Sequence, residues 1–278
     1  METLRNWKNA VRIQPKPIIG RINLLARWFK SSLMSAKAGY FDFTINAFHA
    51  QLRLIWLTLI DMICRHKKVQ CNICAWRGSD FYPNVGWGYN EKSVLCPGCD
   101  CLSRYRSLAI ILWTRTSFFA TDSYVIEAGP SRNFQKYCLL QKNGNYVSFD
   151  IRNSAMEKAD ITRMHYKNDI ADYFLCFHVL EHVENDLQAL GEIHRVLKPE
   201  GIAILQVPID YNIVQTYEYS GANPRDVGHL RRYGRDFAQR VSSCGFAVSA
   251  ISVTQCATED EIRRFGLSTE PVFVARKR

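Results

Sequence analysis

Four of the ten cysteines fall into two Cys-x-x-Cys pairs, Cys71 with Cys74 and Cys96 with Cys99, and 21 residues separate the pairs. Each pair can curl around a metal so that both sulfurs point inward, and two such knuckles complete a tetrahedral thiolate site. Gly98 inside the second pair and Gly78 shortly after the first suit tight turns there. A redox Cys-x-x-Cys would explain one motif but not two, and plain buried thiols are the remaining alternative. The expected occupant is structural zinc, with Cys101 as a substitute ligand. A closed four-thiolate site leaves no position for substrate, so no catalysis is expected of it. Its role would be to hold a loop-rich stretch that has few apolar residues of its own.

A second set of residues suits a nucleotide-like ligand. In SYVIEAGPSRNFQKYCLL (123–140), Val125 and Ile126 read as a strand, Gly129 as a close turn, and Ser131 or Arg132 as a helix start. About twenty residues past Gly129 the strand YVSF ends in Asp150, whose carboxylate can accept both hydroxyl hydrogens of a ribose. Ligands of open α/β sheets sit beyond the carboxyl ends of the strands, where Glu127, Gly129 and Asp150 would converge. There is one glycine where a dinucleotide fingerprint has three. On these residues alone an ordinary strand–turn–helix is an equally good reading.

The third set is FHVLEHVENDLQALGEIHRVLKPEG (177–201). Tyr173 to Phe177 is an apolar run that predicts a central strand buried on both faces. Leu187, Leu190, Ile193 and Leu197 are expected along one face of the helix that follows, which Lys198-Pro199-Glu200-Gly201 stops. Ile202 to Val207 reads as the next strand. Asp236 to Cys244 reads as a helix closed by Gly245, with strands at about 246–253 and 271–276.

The run 177–201 closely resembles the segment after the fourth strand in class I methyltransferases of the type 11 group. GHLRRYGRDFAQRVSSCGF (228–246) resembles the C-terminal part of the same group, and the resemblance covers about 124–278. It implies a Rossmann-like α/β sheet with helices on both faces and S-adenosylmethionine as cofactor. It further implies that Glu127, Gly129 and Ser131 line the methionine side and that Asp150 holds the ribose. Asp160 and Ile161, after the third strand, would flank the adenine. His178 and Leu180 would lie at the end of the fourth strand, under the sulfonium. The first loop departs from the pattern: EAGPS lacks the second and third glycines, and Pro130 has no N–H to donate.

Methyl transfer from a sulfonium needs mainly alignment of the acceptor, with a general base helping where the acceptor is a hydroxyl or amine. The candidates for that base, in order, are His178, His229, Glu181 and His182. His182 reads more readily as a helix-start residue touching its neighbours, and Glu181 as a partner of nearby backbone. His229, with Arg231, Arg232 and Tyr233, is expected on a loop after Pro224, either covering the acceptor pocket or solvated.

These sets require three segments: a basic helical stretch at 1–68, a zinc-ribbon-like cysteine module at 69–105, and the methyltransferase domain at 106–278. The apolar share of 47% and aromatic share of 12% are those of a globular chain rather than a disordered one. Up to Gln70 there are 12 Lys and Arg against three acids, and beyond it 24 against 23, so the excess of +10 sits almost wholly in the first quarter. A nucleic-acid substrate is therefore not expected of the catalytic part. In the first quarter, Ile18, Ile22, Leu25, Phe29 and Leu33 share one helical face, and a second apolar helix runs from about Phe43 to Cys64. Two readings stand: a basic amphipathic surface on anionic membrane, or helices packed on the protein or another subunit.

The longest apolar stretch, LIWLTLIDMIC at 54–64, is too short to span a bilayer and contains Asp61. Residues 1–20 lack a signal-peptide pattern, which favours a reducing compartment, the cytoplasm, with peripheral membrane contact, although the Arg-rich, acid-poor start also suits a transit peptide. The expected activity is methyl transfer to a small molecule, glycan or lipid-linked precursor. The alternatives are a non-catalytic binding protein that uses the zinc module, and a nucleic-acid methyltransferase.

Overall fold

The computed structural model describes residues 10–15, 29, 41–63, 67–86, 89–119, 122–142, 145–152 and 155–278. Helix α1 (Phe41–Ile63) leads into the short strands β1 (Val69–Gln70) and β2 (Arg77–Gly78) and the hairpin β3 (Tyr82–Gly86) with β4 (Tyr89–Leu95). Next come α2 (Ser103–Arg115), β5 (Val125–Ala128), α3 (Arg132–Lys142), β6 (Tyr146–Asp150), β7 (Glu157–Lys158) and β8 (Ala171–Phe177). After them are α4 (Asp186–Val196), β9 (Leu197–Gln206), the hairpin β10 (Tyr217–Asn223) with β11 (His229–Arg232), and α5 (Phe237–Ser242). The chain closes with β12 (Phe246–Ile251), α6 (Glu259–Phe265) and β13 (Val272–Lys277).

Seven of these strands form one sheet in the order β12-β13-β9-β8-β5-β6-β7. Strands β5 to β9 run parallel, whereas β13 pairs antiparallel with β9 and with β12. The chain moves outward from β5 through β6 to β7, then returns to place β8 on the other side of β5. That reversal is a topological switch point, and the crevice above it is where open α/β sheets take ligands.

Side chains alternate across each strand, so the sheet divides its core into two layers. One face carries Val125, Tyr173, Leu175 and Ile204 and packs on Leu108 and Ile111 of α2 and Phe134 of α3. The other carries Ile126, Phe174, Cys176 and Leu205 and packs on Leu190 and Ile193 of α4 and Phe237 of α5. The expected α/β architecture with helices on both faces is therefore present. Cys71, Cys74, Cys96 and Cys99 belong to the first of these apolar layers, together with Trp76 and Phe81. The cysteine stretch thus draws its apolar support from α2 and the sheet.

Three local expectations need correction. Leu187 is exposed, and the buried face of α4 is instead Ala189, Leu190, Ile193 and Val196. Asn185 caps that helix by accepting from the Gln188 amide, which rotates Leu187 outward. His229 stands on a strand rather than a loop, because β11 pairs with β10 in a polar hairpin. The strand before α4 begins at Ala171, and β9 begins at Leu197, so Leu197 to Gly201 belong to that strand rather than to the end of the helix.

The helix expected from Phe43 is α1. It buries Leu54 and Leu57 against Tyr82 and Leu95, and Thr58 shares a hydrogen bond of 2.7 Å with the Tyr82 hydroxyl. Its other side leaves Phe48, Leu52, Trp56, Leu59 and Ile63 exposed. Of the first apolar stripe only Phe29 is described, and it is exposed; Ile18, Ile22, Leu25 and Leu33 lie outside the described residues. Among the described residues no helix is long and apolar enough to cross a membrane.

Candidate functional site

The two Cys-x-x-Cys segments fold into matching knuckles. In each, the amide four residues past the first cysteine returns to that cysteine's carbonyl, Ala75 to Cys71 at 2.9 Å and Asp100 to Cys96 at 2.8 Å. Ala75 and Asp100 themselves carry φ of 59° and 56°. The left-handed position is therefore the residue after the second cysteine and not Gly98. Gly98 serves a close approach instead, since a Cβ there would lie 2.7 Å from Trp76 Cβ.

The four sulfurs lie within 4.8 Å of one another, with Cys71 to Cys99 at 3.8 Å and Cys74 to Cys96 at 3.7 Å. A tetrahedron with zinc–sulfur bonds of about 2.3 Å has edges of about 3.8 Å. The donor set and its spacing therefore fit zinc. Cys101 is buried but stands outside the foursome, and its carbonyl accepts from Arg106 at 2.8 Å.

Arg106, on α2, is fully buried and was not a sequence candidate. It donates to the carbonyls of Val94, Cys101, Phe265 and Gly266 and lies 3.8 Å from the centre of the Phe81 ring. It ties the second knuckle to the turn between α6 and β13. Burial opposes ionisation of Cys71, yet the neighbouring thiols and the Arg106 charge outweigh it and hold that thiol well below its usual range.

At the switch point, Gly129 follows β5 with φ of +60°, and its amide donates to the Phe149 carbonyl at 2.9 Å. A Cβ on Gly129 would lie 2.6 Å from Cγ2 of Val179. The ends of β5, β6 and β8 thus meet at Gly129, with Asp150 next along β6 and His178 next along β8. Asp150 is half-buried and accepts from the Arg152 amide at 2.7 Å. Ser131 precedes α3, and its carbonyl accepts from Gln135 at 2.8 Å in the first helical turn.

The other sequence candidates differ in exposure. Glu127 is buried under the sheet surface, where its carboxylate accepts from the Tyr146 hydroxyl. Burial pushes its pKa up to about 8, against the lowering effect of that hydrogen bond. Asp160 is exposed and its carboxylate binds the Thr162 amide and hydroxyl, both at 2.8 Å, while Ile161 and Leu180 are buried in the second layer.

His178 has φ of 53° and its Nδ1 lies 3.2 Å from Glu181 Oε1. Glu181 is buried and His182 exposed on the short 3-10 turn Leu180–His182. His229 comes across from β11, so that its ring stands 4.9 Å from that of His182. Burial lowers the His229 pKa, with Glu181 opposing that effect. Arg231, two residues on, is buried and donates to the carbonyls of Leu180, Val183 and Glu184 at 2.7, 2.6 and 2.8 Å. That clamp fixes the histidine-bearing turn against the hairpin. Asp186 secures the other side by accepting from Tyr233 and Arg240.

A cavity of about 390 Å³ opens beside His229, lined by Pro208 to Asn212, Asp226 and Arg232. A larger cleft of about 540 Å³ lies at the amino ends of β8 and β9, beside Asp172 and Lys198. The first is at the carboxyl end of β9, where the sheet's chemistry is expected, and the second is at the opposite edge.

Residues 117–205 match a family model described as a methyltransferase domain. That stretch is about a third of the chain, and it is similar to a methyltransferase domain. The match spans β5 to β9 and so includes the switch point, Asp150 and the His178–His182 turn. A curated relative, the uncharacterised protein MJ0638 of Methanocaldococcus jannaschii, is 34% identical over 95 residues, which is 31% of this chain and 41% of that protein. The matched region thus spans well under half of that relative. Among solved structures the chain is similar to the 1,6-didemethyltoxoflavin-N1-methyltransferase of Burkholderia thailandensis, at 15% identity and a TM-score of 0.42 over 62% of this chain and 76% of that one. It is also similar to an S-adenosylmethionine-dependent methyltransferase of Mesorhizobium loti, at 14% identity and a TM-score of 0.42 over 56% and 91%.

Proposed function

We propose that the methyltransferase domain transfers a methyl group from S-adenosylmethionine to a small molecule, a glycan or a lipid-linked precursor. The observation that carries this reading is the meeting of the β5, β6 and β8 ends at Gly129, inside the matched stretch. The cofactor, when bound, supplies an electrophilic methyl on a sulfonium. Asp150 would accept the ribose hydroxyl hydrogens, while Gly129 and Ser131 let the chain pass close to the methionine side. Asp160 and Ile161 would flank the adenine. Leu180 and the His178 backbone would close the site beneath the methyl.

The cavity beside His229 supports an acceptor of modest size, since pockets of about 300–1,000 Å³ suit small ligands. For a hydroxyl or amine acceptor, His178 is the first choice to take the proton. Its Nδ1 faces Glu181, and its buried Nε2 has no hydrogen-bond partner among the described residues. His229, on the cavity wall, is the second choice. The absence of a basic excess beyond Gln70 weighs against a nucleic acid.

Zinc in the four-cysteine site would be structural, since a closed thiolate tetrahedron has no open position. We further propose peripheral contact with anionic membrane from a cytoplasmic location. The apolar residues that α1 leaves exposed, together with the basic excess in the first quarter, support it.

The test is transfer of labelled methyl from S-adenosylmethionine to separate pools of small metabolites, glycans, lipid-linked saccharides and nucleic acids. Label entering one of the first three pools, and lost with Asp150→Ala, is expected. Label entering only nucleic acid would overturn the acceptor class, and no cofactor-dependent labelling of any pool would count against the enzyme.

A further inference from the structure

We propose that Glu181, His182 and His229 form a second metal site, for a first-row divalent cation such as manganese, iron(II), cobalt or zinc. One ligand atom from each of the three lies within 4.8 Å of the others. Nitrogen and oxygen ligands held at about 2.1 Å by one ion stand roughly 3–4 Å apart. Closing the set therefore needs movements of about 1 Å.

The strongest sign is Glu181. Its side chain is 1% exposed, and neither carboxylate oxygen has a hydrogen-bond partner among the described residues. Oε1 lies 3.2 Å from His178 Nδ1, and Oε2 has no hydrogen-bond partner among the described residues. A buried carboxylate is costly unless it is paired or coordinates a cation. His178 answers for one oxygen only.

The surroundings are built as outer shells of metal sites are. Asp226 Oδ1 lies 3.5 Å from His229 Nδ1. A carboxylate on one ring nitrogen of a ligating histidine fixes the ring and raises the basicity of the other nitrogen, here Nε2. Arg231 clamps the turn that carries Glu181 and His182 through three backbone carbonyls, on the same strand as His229. Ligands 47 residues apart in sequence are thus held on two elements locked together.

Two imidazoles and one carboxylate suit borderline divalent metals better than calcium, and three protein ligands leave positions open for water or another oxygen. The 390 Å³ cavity shares Asp226 and His229 with the site. An acceptor oxygen in that cavity is the natural further ligand, a point that rests on the methyltransferase reading; the metal site does not. Binding metal would assign His229 to coordination and leave proton transfer to His178.

The test is titration of the full chain, with its cysteine-bound zinc retained, using manganese(II) followed by electron paramagnetic resonance. Manganese(II) has little preference for thiolates, so the cysteine cluster does not compete for it. One manganese per chain is expected, with at least tenfold weaker binding in Glu181→Gln, His229→Gln and His182→Ala. Because His182 is exposed, its variant reports on the site even where a buried substitution disturbs folding. Absence of binding by manganese(II), cobalt(II) and zinc(II) beyond the cysteine-held equivalent would overturn the proposal, as would a His182→Ala variant that binds like the parent. The titration needs no S-adenosylmethionine, so its failure leaves the methyltransferase reading standing.

Discussion

Gly129 brings the first loop against Val179 in the turn after β8, and replacing it with alanine separates two costs. The first is conformational: φ of +60° places a side-chain-bearing residue in the left-handed region, at about 1–2 kcal/mol. The second is steric. A Cβ at 2.6 Å from Val179 Cγ2 must move out by about 1 Å to reach ordinary carbon–carbon separation, and such overpacking costs about 1–3 kcal/mol. Gly129→Ala should therefore destabilise the chain by about 2–5 kcal/mol, read from guanidinium unfolding at fixed pH. Val179→Ala removes the opposing methyl and should itself cost only about 1 kcal/mol, because Val179 is half-buried. In the double variant the steric part is relieved and the conformational part stays. The two costs should then fall short of additivity by about 1–3 kcal/mol. Independent sites add to within about 0.5 kcal/mol, so a double variant inside that margin would refute the contact.

Glu127 ties stability to pH. Its folded pKa stands at about 8, above the ordinary 4.5, so the native state holds a proton that the unfolded chain releases. Its contribution is full below pH 4.5 and is lost as pH rises toward 8. Glu127→Gln should match the parent in urea midpoint near pH 5 and exceed it by an amount on the order of a few kcal/mol near pH 9; an equal gap at both would dismiss the buried acid. Freshly reduced protein dialysed against a mild chelator should retain about one zinc per chain by elemental analysis. Metal-free protein, or zinc kept by the Cys71→Ser/Cys96→Ser variant, would contradict the cysteine site. Co-sedimentation should show binding to anionic but not neutral vesicles, weakened by salt and lost on deleting residues 1–40. Failure to sediment with anionic vesicles at low salt would remove the membrane proposal.

What could be read from the sequence was local and periodic. The alternation in β5, β6 and β8 and the apolar spacing of α4 predict a sheet covered by helices, and the paired Cys-x-x-Cys spacing predicts the thiolate cluster. The seven-stranded order was less legible, because antiparallel pairing of β13 with β9 depends on which edge a late strand reaches. The β10–β11 hairpin escaped because its residues are polar on both faces and lack apolar alternation. Arg106 and Arg231 escaped for another reason: their partners are backbone carbonyls, which no residue type announces. The grouping of His229 with Glu181 and His182 was hidden likewise, since the Arg231 clamp that holds the hairpin over that turn acts on backbone carbonyls. The burial of Glu127 was hidden in the same way, since its partner is the Tyr146 hydroxyl on the neighbouring strand.

Isothermal titration of the full chain with S-adenosylmethionine and with S-adenosylhomocysteine addresses the methyltransferase reading most directly. One molecule should bind per chain, and Asp150→Ala should weaken it by about 1–3 kcal/mol through loss of the carboxylate's hydrogen bonds. No heat of binding for either compound with folded protein, or undiminished affinity in Asp150→Ala, would contradict a cofactor site at the ends of β5 and β6.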